Sequence, residues 1–151
     1  MFASLKPVVC IDDISTTNAA TATGLIDTKP DNGYKSLHLM VKQGTSNSTS
    51  NKLTVCKLEE SDTSNGTFTA IPAYTGGTAT STSVGFVIPA AHATAQQKYY
   101  MAVDLRGRKR WLKLSLSPVT TQILGASGFL GRGEQTPPPV ATGDLALIVG
   151  G

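Results

Sequence analysis

The stretch QKYYMAVDLRGRKRWLKLSLS, residues 97–117, decides how the rest of the chain is read. On its left, Tyr99, Met101, Val103 and Leu105 occupy alternate positions. On its right, Leu112, Leu114 and Leu116 do the same, with Trp111, Lys113 and Ser115 between them. Such alternation puts apolar side chains on one face of a strand and leaves the other face to the intervening residues. The five residues between the runs, Arg106 to Arg110, are polar and include Gly107, which tolerates positive φ. The expectation is two strands joined by a hairpin connection.

The same period recurs outward from this stretch. Leu37, Leu39 and Val41 share one face of YKSLHLMVKQ, with Ser36, His38 and Met40 on the other. Thr54, Cys56 and Leu58 alternate with Val55, Lys57 and Glu59. Shorter candidates are PVVCI, GTFTAI, VGFVIP and TTQILGA, separated by turn signals such as Pro30-Asp31-Asn32-Gly33, Asn65-Gly66 and Gly76-Gly77. No segment carries a sustained helical period, and PAAHATAQQK has room for one helical turn at most. The fold class expected is all-β, an antiparallel β-sandwich or jelly roll of about eight strands. Leu37, Leu39, Val103, Leu112, Leu114 and Leu116 are expected to line its interior.

At 151 residues the chain is long enough for one domain with one core. We place that domain at residues 1–133, with the N-terminal segment 1–24 a candidate extended arm. Residues 134–151 form a Pro-rich C-terminal arm: a triple proline favouring extended backbone, then the apolar run Leu145-Ala146-Leu147-Ile148-Val149. That run either completes the chain's own sheet or adds a strand to a neighbouring subunit. The polar tract GTSNSTSN reads as a loop tip with nothing apolar to bury.

Charged residues are only 15% of the chain, against about 25% in an ordinary soluble domain. Thr, Ser, Gly and Ala replace them, which suits half-exposed sheets and surfaces covered by neighbours in an assembly. The net charge is +3, from 13 Lys and Arg against 10 Asp and Glu. Without Arg106, Arg108, Lys109 and Arg110 it would be −1, so the basic character of the protein sits in one turn. Nucleic acid requires basic residues spread over a face, and direct binding to it is not expected. No stretch approaches the ~20 apolar residues of a membrane span, and no secretory leader is recognisable, so a soluble protein made in a cytoplasm is expected.

A catalytic or metal constellation is not recognisable either. His38 lies mid-strand and His92 in an alanine-rich loop, neither beside acids or cysteines at ligand spacing. Cys10 and Cys56 read as small core residues. The glycines of GASGFLGRG follow neither a phosphate-binding nor a dinucleotide-binding order, and Gly125-Ala126-Ser127-Gly128 is not a nucleophile elbow. Glu59, Glu60 and Asp62 lack the ligand count of a calcium loop and read as a solvated strand end. No enzyme and no cofactor are expected.

Three readings suit the basic turn: a solvated tip that discourages edge pairing, an anchor for an acidic surface on a protein partner, or, least well, a nucleic-acid contact. Its cations could instead pair with Glu59, Glu60 or Asp62 of the same molecule. The candidate interface residues are Arg106, Arg108, Lys109, Arg110 and Trp111, together with Leu145, Leu147, Ile148 and Val149 of the C-terminal run.

The segments SLKPVVCIDDIS, ATATGLIDTK, GYKSLHLMVKQGT, CKLEESDTSNGTFTAIP, MAVDLRGRKRWLKLSL and GFLGRGEQTPP, in that order, resemble a family of small structural proteins encoded among tailed-bacteriophage head genes. The LRGRKR turn is the most specific piece. Trp111 stands where that family usually has tyrosine, and Gly131-Arg132-Gly133 departs from its usual Ser-Arg-Ala. The resemblance implies a capsid decoration, or cement, protein: a virion component on the capsid surface, without enzymatic activity. It would hold major capsid proteins together, act as a homo-oligomer (dimer or trimer) and map contacts onto residues 105–111. A head–tail completion or tail protein is the alternative. A carbohydrate- or cell-surface-binding sandwich is a second one; it would require exposed aromatics, and the chain has one Trp, four Tyr and four Phe.

Overall fold

The computed structural model describes residues 5–29, 33–45, 52–77, 85–89, 96–132 and the backbone of 145–150. The expected β-sandwich is observed. Among the described residues ten strands run in chain order: β1 (Leu5–Thr16), β2 (Ala22–Asp27), β3 (Ser36–Gln43), β4 (Val55–Ser61), β5 (Thr69–Gly77), β6 (Phe86–Val87), β7 (Gln97–Asp104), β8 (Trp111–Ser117), β9 (Gln122–Gly131) and β10 (Leu145–Gly150). They form two five-stranded sheets, β1-β9-β3-β7-β10 and β2-β8-β4-β5-β6.

The alternation read from sequence sets the facing of every long strand. Leu37, Leu39 and Val41 of β3, Tyr99, Met101 and Val103 of β7, and Leu124, Ala126 and Leu130 of β9 point inward from the first sheet. Ile26, Leu112, Leu114, Leu116, Cys56, Leu58, Ile71 and Tyr74 meet them from the second. All six expected core residues are buried. Burying one such leucine or isoleucine side chain contributes roughly 1.5–3 kcal/mol, so this layer supplies most of what opposes chain entropy. Tyr74 adds a polar tie between the sheets, its hydroxyl donating to the Ala102 carbonyl at 2.5 Å.

Pairing departs from expectation at the central turn. β7 and β8 are not a hairpin: β7 lies between β3 and β10, and β8 between β2 and β4 in the opposite sheet. The connection over residues 105–110 therefore crosses the end of the sandwich. Alternation dictates which face of a strand is buried but not which strand lies beside it, and sheets about 10 Å apart are within reach of a short connection. Gly107 has φ +77°, with open space where a Cβ would stand, so glycine serves here to turn the chain and not to admit a neighbour. Gly24 does the reverse: a Cβ there would lie 2.0 Å from the Cys10 carbonyl oxygen, so β1 and β2 close one side of the sandwich only because position 24 has no side chain.

Both ends of the chain join the first sheet. The segment expected as an N-terminal arm is, over Leu5–Thr16, an edge strand antiparallel to β9. Pro7 is tolerated there because an edge strand can dispense with a ladder donor. The Leu145–Gly150 part of the C-terminal arm runs parallel to β7, from Leu145 opposite Lys98 to Gly150 opposite Val103. It completes the chain's own sheet, and with the β5–β6 pair it is one of two parallel pairings in a sandwich expected to be antiparallel. The loop tip at 46–51, the loop containing His92 and the Pro-rich residues 133–144 lie outside the described residues.

Candidate functional site

The crossover collects carboxylates from three directions. Arg106 grips Asp104 of the preceding strand with Nε donating to Oδ1 at 3.0 Å and Nη2 to Oδ2 at 2.7 Å. Arg110 makes the same two-point contact with Asp27 at the end of β2, at 3.0 and 2.8 Å, and its guanidinium lies 5.5 Å from the Trp111 ring centroid. Arg108 faces Glu60 at 3.6 Å and Lys109 faces Asp62 at 3.3 Å. Backbone reinforces side chain: the Lys109 N–H donates to Glu60, while the Thr28 N–H and hydroxyl both donate to the Arg110 carbonyl.

Every cation of the turn thus has a carboxylate of the same chain. Glu60 and Asp62 are two of the partners that the sequence allowed; Asp27 and Asp104 are new. Glu60 is no solvated strand end, since its carboxylate holds both the guanidinium and the backbone of the crossover. Hydrogen bonding from Arg106 pulls Asp104 down to about 2, and the Arg110 hydrogen bond lowers Asp27. Asp104 and Arg106 remain 42% and 62% exposed, so water screens much of that attraction.

The outer face of the second sheet carries a matching ionic cluster. Glu59, 8% exposed, accepts from Lys57 at 3.0 Å, Lys113 at 3.1 Å and the Ser115 hydroxyl at 3.2 Å. Lys113 also sits over the Phe68 ring at 4.5 Å. Burial pushes the Glu59 carboxyl up, but the lysine hydrogen bonds and charges outweigh it and the net direction is down. Ser115, expected to point outward, does so and is nonetheless buried beneath this cluster.

Asp27, Glu59 and Asp104 all have folded pKa values below their ordinary ones, so protonating them costs the folded state. Their contribution to stability is complete above the ordinary Glu value of 4.5 and is lost as the pH falls toward about 2. Urea midpoints measured across that window should fall steadily. A flat profile would mean that these ion pairs contribute nothing to folding.

The outer face of the first sheet, which carries one ion pair between Lys42 and Asp13 at 2.7 Å, is apolar over the two rows beside it, and sequence reasoning missed this. Register places Pro7, Phe129, His38 and Ala102 in one row across β1, β9, β3 and β7, and Val9, Ser127, Met40 and Tyr100 in the next. Val9 is 70% exposed, and Leu5 beside these rows is 48% exposed. His38 is 4% exposed beneath them, stacked on Phe129 with centroids 4.9 Å apart and hydrogen-bonded through Nδ1 to the Tyr100 hydroxyl. Burial lowers its pKa, so it is neutral at pH 7. Its Nε2 is buried without a partner among the described residues. The signal was present in sequence: both sets of alternate positions in LHLMV (37–41) and YYMAV (99–103) are apolar or aromatic, where a solvated strand carries charge.

Of the remaining candidates, Trp111 is half-buried at the start of β8. Leu145, Leu147, Ile148 and Val149 lie on β10, their backbone opposite Lys98, Tyr100, Met101 and Ala102. Burial pushes the Cys10 and Cys56 thiols up to about 12, so neither is a thiolate at neutral pH. No family model matches the chain, and neither curated proteins nor solved structures provide a match.

Proposed function

We propose that the chain is a non-enzymatic virion structural protein that binds the outer surface of a bacteriophage capsid and stabilises contacts between major capsid proteins. The observation that carries this reading is the asymmetry of the sandwich. One outer face carries the larger ion-paired cluster; the other presents Leu5, Pro7, Val9, Met40, Tyr100 and Phe129 in adjoining rows, bounded by the Lys42–Asp13 pair and Lys98 in the row after Met40 and Tyr100. An antiparallel sheet that faces water on one side carries polar residues there, and apolar patches rimmed by polar residues mark interaction surfaces. The apolar face is the docking side, and the ion-paired face is the side turned to solvent.

The rest of the design suits a mechanical part. The order β1-β9-β3-β7 facing β2-β8-β4-β5, with most connections passing between sheets, favours a jelly roll within the sandwich class. Successive strands in different sheets cannot peel apart as hairpins, and the crossover of residues 105–110 is latched to β2, β4 and β7. In this reading the basic turn belongs to the scaffold, Trp111 lies at the end of the ion-paired sheet, and β10 extends the docking sheet. A dimer or trimer at a capsid symmetry axis would multiply each weak contact.

Co-sedimentation with undecorated capsids of the same phage tests the proposal. Saturable binding is expected, and the Leu5→Glu/Val9→Glu double variant should weaken it at least about tenfold, since each substitution places a charge in a surface that must be desolvated. Both positions are exposed, so folding should be unaffected. Saturable binding that ignores these substitutions would move the docking surface elsewhere. Failure of the wild type to bind would sink the decoration role in favour of a head–tail or tail component.

A further inference from the structure

The flank of the sandwich along β1 is an exposed surface of its own. β1 is the edge of the first sheet and pairs there only with β9. Leu5, Val9 and Ile14 on this strand are exposed, and so is Ile123, opposite Ser15 on β9. They are four of the six large apolar side chains that stand in solvent among the described residues. Leu5 and Val9 also border the docking rows. Ile14 and Ile123 lie beyond the Lys42–Asp13 pair, where docking gives no account of them.

The rim of this flank is self-complementary. Lys6 stands near one end of β1 and Asp12 and Asp13 near the other, all exposed, with Val9 and Cys10 midway between them. The apolar side chains follow the same plan, Leu5 outside the lysine and Ile14 outside the acids. A second copy set edge to edge by a two-fold axis at Val9–Cys10 runs antiparallel to the first. Each Lys6 then comes level with the acids of the other copy, each Leu5 with the other's Ile14, and the two Val9 side chains meet near the axis. Asp13 already holds Lys42 of its own chain, which makes Asp12 the acid that meets Lys6. A copy with its β1 parallel would set lysine beside lysine and acid beside acid. Opposite charges on neighbouring strands attract and like charges repel, so the order of signs along β1 selects the two-fold.

Backbone pairing alone would select less. Pro7 lacks a donor, and the pairing with β9 slips between Val9 and Ile11 and again between Ile11 and Ile14. The outer edge of β1 therefore offers no continuous ladder to an arbitrary strand. Side chains must make the contact, and they suit a rim of the same sequence. Behind that rim the Cys10 carbonyl abuts Gly24 of β2, so the flank is backed by the second sheet.

We infer that the β1 flank is a homotypic interface, in which a second copy of this chain packs against Leu5, Val9 and Ile14 and pairs Lys6 with Asp12 across a two-fold axis. The partner is another copy and not the capsid, so the interface goes beyond the docking role and does not depend on it. With the axis along the sheet normal, the apolar rows of both copies face the same way, and the dimer presents them together.

Sedimentation equilibrium of the full chain without capsids, at concentrations up to roughly 100 μM, tests the interface. The wild type should dimerise. Lys6→Glu and Asp12→Lys should each raise the dissociation constant at least about tenfold, since each sets like charges together at both ends of the rim. Mixed in equal amounts, the two variants should form a heterodimer as tight as the wild-type dimer, because the mixed pair restores opposite charges at both ends. A misfolded variant would not give that recovery. A monomeric wild type would overturn the interface, as would a dimer that ignores both substitutions or a mixture no tighter than the variants alone. A dimer that ignores capsids would sink the docking role and leave the flank; a capsid-binding monomer would do the opposite.

Discussion

Replacing Leu114 by alanine should cost roughly 2–5 kcal/mol of unfolding free energy, in the upper half of that range. Leu114 is fully buried at the centre of β8, paired with Gly24 on one side and Leu58 on the other. The cost of a large-to-small substitution depends on how far the surroundings collapse into the void. Here one neighbour is a glycine with no side chain to offer, and the backbone at that glycine already abuts Cys10, so collapse from that side is blocked. Urea unfolding of the variant beside wild type measures the loss. The control is Leu25→Ala, exposed on the other face of β2, which should shift stability by no more than about 0.5 kcal/mol. A loss near zero at Leu114 would mean that the facing of β8 is wrong, and the sandwich with it.

The second large effect is expected at Glu59. Glu59→Ala removes the acceptor shared by Lys57, Lys113 and Ser115 and leaves two ammonium groups facing one another with nothing between them. Breaking a fully buried ion pair costs about 3–5 kcal/mol, but both lysines are about a third exposed and can recruit water, so roughly 1.5–3 kcal/mol is expected. Asp104→Ala removes a bidentate partner of Arg106 with geometry at least as good, yet in solvent, and should cost about 1 kcal/mol or less. The comparison of the two by thermal or urea unfolding isolates burial from geometry. Equal losses would mean that hydrogen-bond geometry, not desolvation, sets the worth of these pairs. Raising the salt concentration should shrink the Asp104 effect more than the Glu59 effect, because screening acts on exposed charge.

How far the sequence could be read follows from the range over which each feature is encoded. The alternating leucines of 112–116 and 37–41 announce buried faces because facing is local: each residue's direction follows from its neighbour's, and a one-residue slip would expose the whole set. Gly107 announces a turn for the same reason, since the φ of one residue is enough. The absence of a helical period between these runs indicates an all-β chain.

Strand partnership is not local, and the reading of 106–110 as a hairpin failed on that account. Nothing in LRGRKRW distinguishes a return to the same sheet from a step to the opposite one. That choice is made where β7 finds β3 and β8 finds β4, through residues 50–68 positions apart in sequence. The carboxylates that hold the crossover come from positions 27, 60, 62 and 104, and only the assembled sandwich brings them to one end. The same holds for a cleft lined by Lys29, Lys35 and Arg132, the last about a hundred residues from the other two in sequence. It holds also for the apolar outer face, built from single alternate positions in four strands. The sequence by itself determined which side of each strand is apolar and that the chain is all-β, because those properties are written in neighbouring residues. Only the tertiary structure decided which strands pair and which cations are spent on which carboxylates of the same chain, because charges and strand edges find partners by distance in space.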